Sequence, residues 1–384
     1  MSHWPIVPIF NACDLANRRV TPFPGSRPYV STGDVESTNI THSTLVTYEN
    51  RPSRADLCVK EGDVLFARMQ ATDKVVLVKP EMEQYLWSTG FASLRPKPTL
   101  NRRWLMYWLR SHFFTERKDA LCSGATQKAI TNDSISELTI PLAPINEQER
   151  IVQILDDADS LNILHAEVMH RLSQVIPSVF DYLFGDPQKN IKKWPIVKLG
   201  DIAQLERGRF TPRPRNDPSY FDGDYPFIQT GDISDSDGLL STYKQTLNER
   251  GKNVSKEFPA GTIVIAIVGA TIGATAILQI PVYCTDSIVG INVNHKFCYT
   301  EFVEFYLRSR RPSLLAQAPD AARANLNLEI LRNIQIPLPP LEAQSIFVEY
   351  VGYIRTLQSL QKSNGRRLDN LFRSLLHRAF QGDL

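Results

Sequence analysis

Two stretches of the chain follow one sequence pattern, I-P-L-A-P-I-N-E-Q at residues 140–148 and I-P-L-P-P-L-E-A-Q at residues 336–344. In both, prolines disfavour helix at the start and a long amphipathic pattern follows, which predicts an extended tether leading into a helix. The first helix is predicted to end near Leu183 and the second near Phe380. The chain is therefore organised as a globular segment followed by a long helix, twice.

The segments that precede the two tethers also resemble each other. Matching strings occur in one order: W-P-I-V at 4–7 and 194–197, Y-V-S-T-G-D-V at 29–35 and F-I-Q-T-G-D-I at 227–233, and E-G-D-V-L-F-A at 61–67 and A-G-T-I-V-I-A at 260–266. Chance would not keep the order, so the pattern indicates an internal duplication. We expect a first domain at 1–140, a first long helix at 141–186, a second domain at 187–336 and a second long helix at 337–384.

Each globular half combines short β-rich runs with glycine and proline turns and at least one helix. Strand candidates are residues 29–30, 64–67 and 75–78 in the first half and 227–228, 263–267 and 275–278 in the second. Helices are predicted near 102–112 and 301–309, where aromatic residues have helical spacing. This spacing favours a place in the core over a platform for stacking nucleic-acid bases. The predicted fold class is α+β.

Positions in both long helices repeat in alternating steps of four and three, the heptad pattern of a coiled coil. They are Ile154, Ala158, Leu161, His165, Val168, Leu172, Val175, Val179 and Tyr182, and Tyr350, Ile354, Leu357, Gln361, Asn364, Leu368, Leu371, Leu375 and Arg378. We expect the two helices to pair antiparallel about a pseudo-twofold axis. His165 and Gln361 occupy equivalent positions, which suggests a polar layer that fixes register, with a metal or catalytic role for His165 as the alternative.

Composition describes an ordinary globular protein. The 384 residues are 42% hydrophobic and 22% charged with a net charge of +2, so a nucleic-acid surface would have to come from local clusters. The longest apolar run, 262–278, is interrupted by Gly269 and Gly273 and predicts buried strands, not a membrane span. The five cysteines lack metal-ligand spacing and no signal peptide is apparent, so we expect reduced thiols and a cytoplasmic protein.

Catalytic signatures are missing from the sequence. It has no G-x-x-x-x-G-K-[ST] phosphate loop, no G-x-G-x-x-G after a strand, and no H-E-x-x-H or G-x-S-x-G motif. It also lacks the Asn/Asp-Pro-Pro-aromatic tetrad of amino-methyltransferases and an acidic nuclease cluster. The run G-A-T-I-G at 269–273 is predicted to be a turn and not a nucleotide cradle. We therefore expect no catalytic residue and no metal ligand in this chain.

Basic residues cluster on one loop of each half. R-G-R-F-T-P-R-P-R at residues 207–215, here called the arginine loop, places four arginines among prolines that exclude helix. The matching loop of the first half carries Arg18 and Arg19, with Arg27 beyond it. A charged run is usually only a solvated surface, but its recurrence favours the alternative, contacts with phosphates and guanine edges.

A second shared signature is S-T-G-D at residues 31–34 and Q-T-G-D at 229–232. One interpretation is a structural turn capped by the aspartate. Ser31 and Gln229 differ before an otherwise shared turn, which suits a residue that changes the sequence being read.

Taken in order, these motifs resemble the specificity subunits of type I restriction–modification systems. The resemblance covers nearly the whole chain and rests on both tethers and helices, both T-G-D turns, S-T-G-F at 88–91, G-A-T-Q-K-A-I at 124–130 and G-A-T-I-G-A at 269–274. It implies that each globular half is a target recognition domain that reads one part of a bipartite, asymmetric DNA site. The long helices would set the spacing and dock two methyltransferase subunits.

The resemblance also implies which chemistry lies elsewhere. Methyltransferase subunits would supply S-adenosylmethionine chemistry, and restriction subunits would use ATP and magnesium for translocation and cleavage. This chain would be non-catalytic and supply only sequence choice. The residues predicted to contact double-stranded DNA are Arg18, Arg19, Arg27, Ser31, Thr32, Arg68, Lys74, Gln127, Lys128, Arg207, Arg209, Arg213, Arg215, Gln229, Thr230, Thr271 and Arg323.

Two departures from the family pattern limit the transfer of contacts between the halves. Ala343 stands where the first tether has Glu147, and residues 69–74 replace a clear counterpart of the 269–273 loop. Two rival interpretations remain. An unrecognised methyltransferase or nuclease would be revealed by methyl transfer from the isolated chain, and a structural adaptor that binds proteins would show no sequence-selective binding to duplex DNA.

Overall fold

The computed structural model describes residues 4–124, 127–186, 189–317 and 326–384. The chain forms two compact units: the first unit contains residues 1–167 and 362–384, and the second unit contains residues 168–361. Each unit therefore holds one globular domain and one part of each long helix. The predicted four segments separate helices from domains, whereas the compact units divide both helices.

The first unit is built from short strands and helices. Its strands are β1 Ile6–Pro8, β2 Cys13–Leu15, β3 Ser26–Val30, β4 Val35–Glu36, β5 Asn39–Ile40, β6 Thr44–Thr47, β7 Ala55–Leu57, β8 Val64–Ala67, β9 Val75–Leu77, β10 Leu86–Ser88, β11 Phe91–Pro96 and β12 Thr139–Pro141. Its helices are α1 Ile9–Ala12, α2 Arg102–Leu109, α3 His112–Ala120, α4 Asn132–Ile135 and the first part of α5, the first long helix, Ile145–Phe184. The second long helix spans Leu341–Gln381, and its C-terminal part completes the first unit.

Two larger sheets form the domain of the first unit, with strand orders β6-β3-β10-β7 and β2-β11-β8-β9 among the described residues. β3 and β10 are parallel, and the other pairs in these sheets are antiparallel. In β8, Val64 and Phe66 pack with the helices, whereas Leu65 and Ala67 pack with the other sheet. Coverage of both faces explains why this strand is apolar at every position.

The second unit repeats this construction. Its strands are β13 Ile196–Lys198, β14 Ala203–Arg207, β15 Phe221–Ile228, β16 Leu239–Leu240, β17 Gln245–Leu247, β18 Lys256–Phe258, β19 Ile263–Ala266, β20 Thr275–Leu278, β21 Val282–Cys284, β22 Ile288–Val293 and β23 Gln335–Pro337. Its own helices are α6 Leu199–Ile202, α7 Thr230–Ser234, α8 Glu249–Val254, α9 Thr300–Ser309, α10 Arg311–Gln317, α11 Leu328–Arg332 and the first part of α12, the second long helix.

The second unit's larger sheets have strand orders β14-β22-β19-β20-β16 and β17-β15-β21-β18 in the described part of the chain. In β19, Ile263 and Ile265 pack with the helices, while Val264 and Ala266 pack with the other sheet. All six predicted strand candidates coincide with strands, although Val78 and Ile267 lie one residue beyond β9 and β19, and the helix predicted near 301–309 is α9. The helix predicted near 102–112 is α2, which ends at Leu109 before α3 begins.

The repeated strings at the two ends of each domain meet in a two-stranded sheet. Val7 of β1 lies opposite Ile140 of β12, and Val197 of β13 lies opposite Ile336 of β23. The W-P-I-V string therefore pairs with the tether in both copies. This pairing closes each domain at the point where its long helix begins.

A buried glutamine fixes the first tether to its domain. Gln148 is fully buried, and its Nε2 donates to the carbonyls of Ala143 (2.7 Å) and Thr99 (3.0 Å). Its Oε1 accepts from the main-chain N–H of Asn101 (2.8 Å). One side chain thus joins the tether, the long helix and the start of α2.

Gln344 repeats this anchor in the second unit. It is fully buried, donates to the carbonyls of Pro339 (2.8 Å) and Phe297 (3.3 Å), and accepts from the N–H of Tyr299 (3.0 Å). In the first tether, Glu147 forms an ion pair with Arg150 at 2.9 Å that is partly exposed. Ala343 therefore removes an ion pair of this kind and leaves the buried anchor intact.

The two long helices run antiparallel within the first unit. Near the start of the first helix, Arg150 Nη2 donates to the carbonyl of Leu384 (2.7 Å). Farther along, His165 faces Gly365, where an added Cβ would lie 2.5 Å from His165 Cε1. Numbers rise along one helix as they fall along the other, which defines the antiparallel direction.

The same direction holds within the second unit. Gln358 Nε2 lies 3.5 Å from the carbonyl of Leu172, and the ring of Phe347 lies 5.6 Å from that of Phe184. The predicted antiparallel pairing is therefore present in each unit.

The membership of the predicted heptad seam is wrong in part. Leu161 is 48% exposed, Tyr182 is 81% exposed, and Tyr350, Leu357 and Leu371 are about half exposed. Besides the anchors Gln148 and Gln344, the buried positions are Ile151, Val152, Leu155, Ala158, Ile176, Phe180, Phe184, Phe347, Val351, Ile354, Phe372, Leu376, Ala379 and Phe380. These side chains join the core of the domain in their own unit, so contact with the domain decides burial.

The aromatic residues of α2 and α9 lie in the core, as their spacing predicts. They are Trp104, Tyr107, Trp108, Phe302, Phe305 and Tyr306, all at most 9% exposed. In the first unit both tryptophans pack edge-on against Phe380, and in the second unit Phe180 packs against Phe302 and Phe305. These contacts seat each domain on its parts of the long helices.

Charged residues at this junction differ between the units. In the first unit, both terminal nitrogens of Arg110 lie 3.1 Å from the carboxylate of Asp159 on the first long helix. In the second unit, the matching positions hold two cations, Arg308 and Arg355. The match is fixed by equivalent hydrogen bonds, from the Trp108 indole to the Thr139 carbonyl and from the Tyr306 hydroxyl to the Gln335 carbonyl.

The acid in the second unit comes from the domain itself. Glu304, which occupies the position of Met106, is fully buried and accepts from the Thr275 hydroxyl (2.9 Å). Its carboxylate lies 3.3 Å from Arg308 Nε. Burial raises the pKa of Glu304, and Arg308 opposes that rise.

Candidate nucleic-acid interface

Parallel pairing brings two loops of the second unit to one edge of a sheet. β15 and β21 run in the same direction, with Phe227 opposite Tyr283, so the residues that follow these strands emerge together. We call this region the second edge and define it as residues 229–230 and 285–287. It contains Gln229 and Thr230, which the sequence predicted, and Asp286, which it did not.

The shared T-G-D sequence forms the turn that positions Gln229. The Asp232 carboxylate accepts from the main-chain N–H of Gln229 (2.8 Å) at the start of α7. In the first unit, Asp34 accepts from the N–H of Ser31 in the same way (2.7 Å). The predicted Asp-capped turn is confirmed in both units. The exposed Gln229 side chain donates to Gln245 Oε1 (2.6 Å).

The arginine loop lies directly on the second edge. Gly208 donates its N–H to the carbonyl of Ile288 (2.8 Å), and a Cβ at this position would collide with the carbonyl oxygen of Thr285. Glycine is therefore required for the close approach of the two main chains. Arg207, beside it, donates its Nε to the carbonyl of Asp286 (2.6 Å).

Two further arginines of the loop converge on the Asp286 side chain. Arg215 Nη2 lies 2.6 Å from one carboxylate oxygen, and Arg213 Nη2 lies 3.4 Å from the other. Arg209 instead donates to the carbonyl of Ser255 (3.0 Å). The arginines are exposed at the surface yet held by the protein, and one carboxylate faces this cationic loop. The arginine loop therefore gives the surface beside the second edge an excess of positive charge, and its side chains are ordered by the protein.

The first unit builds an equivalent edge, which we call the first edge, from residues 31–32 and 88–90. β3 and β10 are parallel, so Ser31 and Thr32 emerge beside Ser88. A Cβ on Gly90 would lie 2.9 Å from Thr32 Cγ2, which shows how closely the two loops approach. Lys74 Nζ donates to the Thr32 carbonyl (2.7 Å) and brings its charge to this edge.

Arg68 lies next to the first edge and is held by side-chain hydrogen bonds. Its guanidinium donates to the carbonyls of Phe91 (3.0 Å) and Ile130 (3.3 Å) and to Asn132 Oδ1 (2.6 Å). Burial lowers the pKa of Arg68. It lines a cleft of about 440 Å³ together with Arg19 and Thr89, so part of its surface still faces solvent.

Other predicted residues of the first unit surround this region. Gln127 Nε2 lies 3.0 Å from Met69 Sδ, and the Lys128 carbonyl accepts from the N–H of Gln70, so both residues contact the chain directly after Arg68. Arg18 and Arg19 are exposed, and Arg19 Nε lies 3.9 Å from Asp56.

Arg27 and Thr271 have different surroundings. The Arg27 guanidinium lies 4.5 Å from the centre of the Phe23 ring, on the body of β3 and not at its end. Thr271 belongs to a 3-10 turn, Gly269–Thr271, which confirms the predicted turn, and this turn contacts α7. Arg323 lies outside the described residues.

Sequence reasoning missed Asp286, Gly208 and Asp56 as parts of these regions. Asp286 takes the position of Thr89 in S-T-G-F of the first half, because Cys284 lies opposite Ile228 as Trp87 lies opposite Val30. An acid in place of a threonine next to a basic loop is the signal that could have pointed to it. Across the described ranges, we find no helix long and apolar enough to cross a membrane and no His, Cys, Asp or Glu cluster that could hold a metal.

Two similar α+β domains thus each present an Asp-capped turn at the equivalent sheet edge, with basic side chains beside it. The chain belongs to the family described as "Type I restriction modification DNA specificity domain", whose sequence profile matches residues 7–174 and 191–375. The two matches coincide with the two halves of the duplication. The predicted family and the internal repeat are therefore confirmed.

Curated relatives agree with this assignment. The chain is 23% identical to the putative type I restriction enzyme MjaX specificity subunit of Methanocaldococcus jannaschii, covering 84% of this chain and 78% of that protein. It is 22% identical to the HindI specificity subunit of Haemophilus influenzae, covering 93% and 94%. A solved chain from a study of type I R-M complex assembly and conformational transition matches with a TM-score of 0.67 over 99% of this chain and 98% of that chain, at 23% identity. This likeness supports the fold.

Proposed function

We propose that this chain chooses the DNA sequence for a type I restriction–modification complex and that each unit reads one part of a bipartite, asymmetric site. The observation that carries the proposal is the repeated edge. In both units parallel strands bring an Asp-capped turn to a sheet edge, and basic side chains from other elements lie beside it. The residue before the turn is Ser31 in one unit and Gln229 in the other. Different side chains on equivalent scaffolds suit the reading of different bases.

The chemistry of the edges fits the major groove of DNA. A glutamine amide can form a bidentate pair with adenine, and an arginine can do so with guanine, each worth about 1–3 kcal/mol of discrimination. Lysine and arginine contacts to phosphates add affinity without sequence preference. We assign base contacts to Gln229 and to arginines of the loop, and phosphate contacts to Lys74, Arg18 and Arg19.

The long helices offer a surface for partner subunits. In the second unit they line a groove of about 590 Å³ in which Tyr182 is 81% exposed and Tyr350 is 51% exposed. Ile163 and Leu164 of the first unit are more than half exposed. Exposed apolar clusters of this kind favour protein contacts. We infer that two methyltransferase subunits dock on these helices, and that helix length sets the spacing between the two parts of the site.

The remaining chemistry is assigned to the partners. S-adenosylmethionine would be bound by the methyltransferase subunits, and ATP and magnesium by restriction subunits, in a complex that acts in the cytoplasm. This chain would contribute the choice of sequence to that complex.

A domain exchange tests the proposed function. Residues 1–140 would be replaced by the first domain of another family member, the chain assembled with its methyltransferase partner, and the methylated sites mapped by sequencing. We expect one part of the site to change and the other to stay. The reciprocal control exchanges residues 187–336 and should change only the other part. Methylation without sequence preference, or a change in both parts after either exchange, would contradict the proposal.

A further inference from the structure

Asp286 is a carboxylate in the middle of a basic surface. It lies in the three-residue connection between β21 and β22, and its main chain and side chain together contact Arg207, Arg213 and Arg215. A negative charge here repels the phosphates that the surface would bind. Its presence therefore needs a reason other than affinity for DNA.

Stability of the fold is a weak reason. The side chains of Arg213 and Arg215 are 56% and 47% exposed, and that of Asp286 is 29% exposed, so solvent screens these ion pairs. The contacts instead fix the direction in which the arginine side chains point. An arginine free in solvent samples many rotamers, whereas Arg215 is held by Asp286 and lies 3.4 Å from the Ser287 hydroxyl.

A second feature holds the same contact independently of charge. Gly208 lets the main chain of the arginine loop press against Thr285, directly before Asp286. Arg207 then reaches the Asp286 carbonyl, and Arg213 donates to the carbonyls of Phe210 and Pro212 within its own loop. Main-chain contact and ion pairs thus fix one arrangement of the loop.

We propose that Asp286 is a positioning residue for DNA reading: it holds Arg213 and Arg215 in the orientation that reads guanine edges in the part of the site bound by the second unit. This inference rests on the proposed function. A guanidinium has five N–H donors, and the contacts of Arg215 with Asp286 and Ser287 leave others for a base. Without the carboxylate, Arg215 loses its charged partner and Arg213 keeps only the carbonyls of its own loop, so both can turn toward a nearby phosphate.

In the described part of the first unit, we find no carboxylate that contacts several arginines at the first edge. Its nearest parallel is Asp56 on β7, which lies 3.9 Å from Arg19 and 3.7 Å from Arg51. The Arg19 side chain is 91% exposed and is not directed by a close contact. The first unit therefore serves as an internal reference when Asp286 is changed.

The test uses Asp286→Asn in the full chain assembled with its methyltransferase partner. Binding is measured to the mapped DNA site, to sites altered in either part, and to unrelated duplex. We expect discrimination in the part read by the second unit to fall about tenfold or more, the loss of one good base contact. Discrimination in the other part should stay, and binding to unrelated duplex should rise because a repelling charge is gone.

Three further variants sharpen the result. Asp186→Asn removes the same charge from an exposed pair with Lys189 (3.2 Å) and should change neither part. Asp286→Glu keeps the charge and should retain some of the discrimination that Asp286→Asn loses. Gly208→Ala leaves Asp286 in place but moves the loop, and should reproduce the loss.

The outcomes separate the two proposals. If Asp286→Asn keeps full discrimination, or weakens both parts of the site equally, Asp286 does not position these arginines. If the wild-type assembly itself shows no sequence preference, the proposed function fails and this inference fails with it.

Discussion

Replacing Gln148 by alanine should release the first tether from its domain. The side chain joins three main-chain groups, the carbonyls of Ala143 and Thr99 and the N–H of Asn101, and it is fully buried. Alanine has neither donor nor acceptor, so all three main-chain groups lose this partner. The change therefore tests whether the tether sequence specifies the fold through this residue.

The size of the effect follows from what is left unpaired. Thr99 lies at the surface, so its carbonyl can turn to water, whereas Ala143 is buried and Asn101 is half-buried. An unpaired buried polar group costs about 1–3 kcal/mol, and the deleted side chain leaves a cavity that adds to the loss. We expect the free energy of unfolding of the first unit to fall by roughly 2–4 kcal/mol.

Tryptophan fluorescence in urea follows this unit selectively. Of the five tryptophans, Trp4, Trp87, Trp104 and Trp108 belong to the first unit and only Trp194 belongs to the second. With a denaturant slope of about 2–3 kcal/mol per molar urea, the midpoint should fall by about 1 M.

The neighbouring residue supplies the control. Glu147→Ala removes only the partly exposed ion pair with Arg150 and should cost about 0–1 kcal/mol. Equal midpoints for the Gln148 and Glu147 variants would refute the reasoning, since the buried amide would then contribute no more than a surface charge.

Three further predictions rest on charge. Alanine at all four arginines of the arginine loop should flatten the log–log salt dependence of DNA binding by up to about four units, and an unchanged slope would mean that the loop is only solvated. Because the folded pKa of Glu304 is raised, its stabilising contribution is complete below the unfolded value of 4.5 and is lost as pH rises through the folded pKa. The stability advantage of wild type over Glu304→Gln should therefore shrink with rising pH, which urea titration at several pH values would show. Asp159→Arg should lower the free energy of unfolding of the first unit by about 3–5 kcal/mol, and adding Met106→Glu should recover part of that loss. Strictly additive effects of the two substitutions on the urea midpoint would contradict the charge pairing described for the domain–helix junction.

The duplication predicted much of the fold because the repeated strings meet requirements of main-chain hydrogen bonding. The strings W-P-I-V and I-P-L recur together since β1 pairs with β12 and β13 with β23. The T-G-D turns were also predictable, because an aspartate that caps a turn acts within three residues of its partner. Local rules of this kind can be read from a single sequence.

The heptad seam of the long helices shows what such local rules do not determine. Ile154 and Leu155 are both apolar, so the heptad pattern allows either to face inward. The structure buries Leu155 completely, because the first domain packs on that side of the helix. Periodicity identifies an apolar stripe, but the neighbour that covers it decides which residues are buried.

Contacts between distant loops left even less signal. Arg215 and Asp286 meet because two loops emerge at one sheet edge, and ion pairs between loops have no period. The arginine loop could be recognised as basic, but its ordering by one carboxylate required the strand order β17-β15-β21-β18. Composition predicted the charge of the site, and topology determined its geometry.

The domain–helix junction combines both lessons. Both units place an arginine at the end of the domain helix, Arg110 and Arg308, and both need an acid beside it. The first unit takes the acid from the long helix, Asp159, and the second takes it from the preceding turn of the domain helix, Glu304. In the second unit, Glu304 also acts electrostatically on Arg355, which stands where the first unit has Asp159. The two copies thus pair the domain-helix arginine with an acid from different elements, so a domain moved onto the other unit's helices would bring two arginines or two acids together.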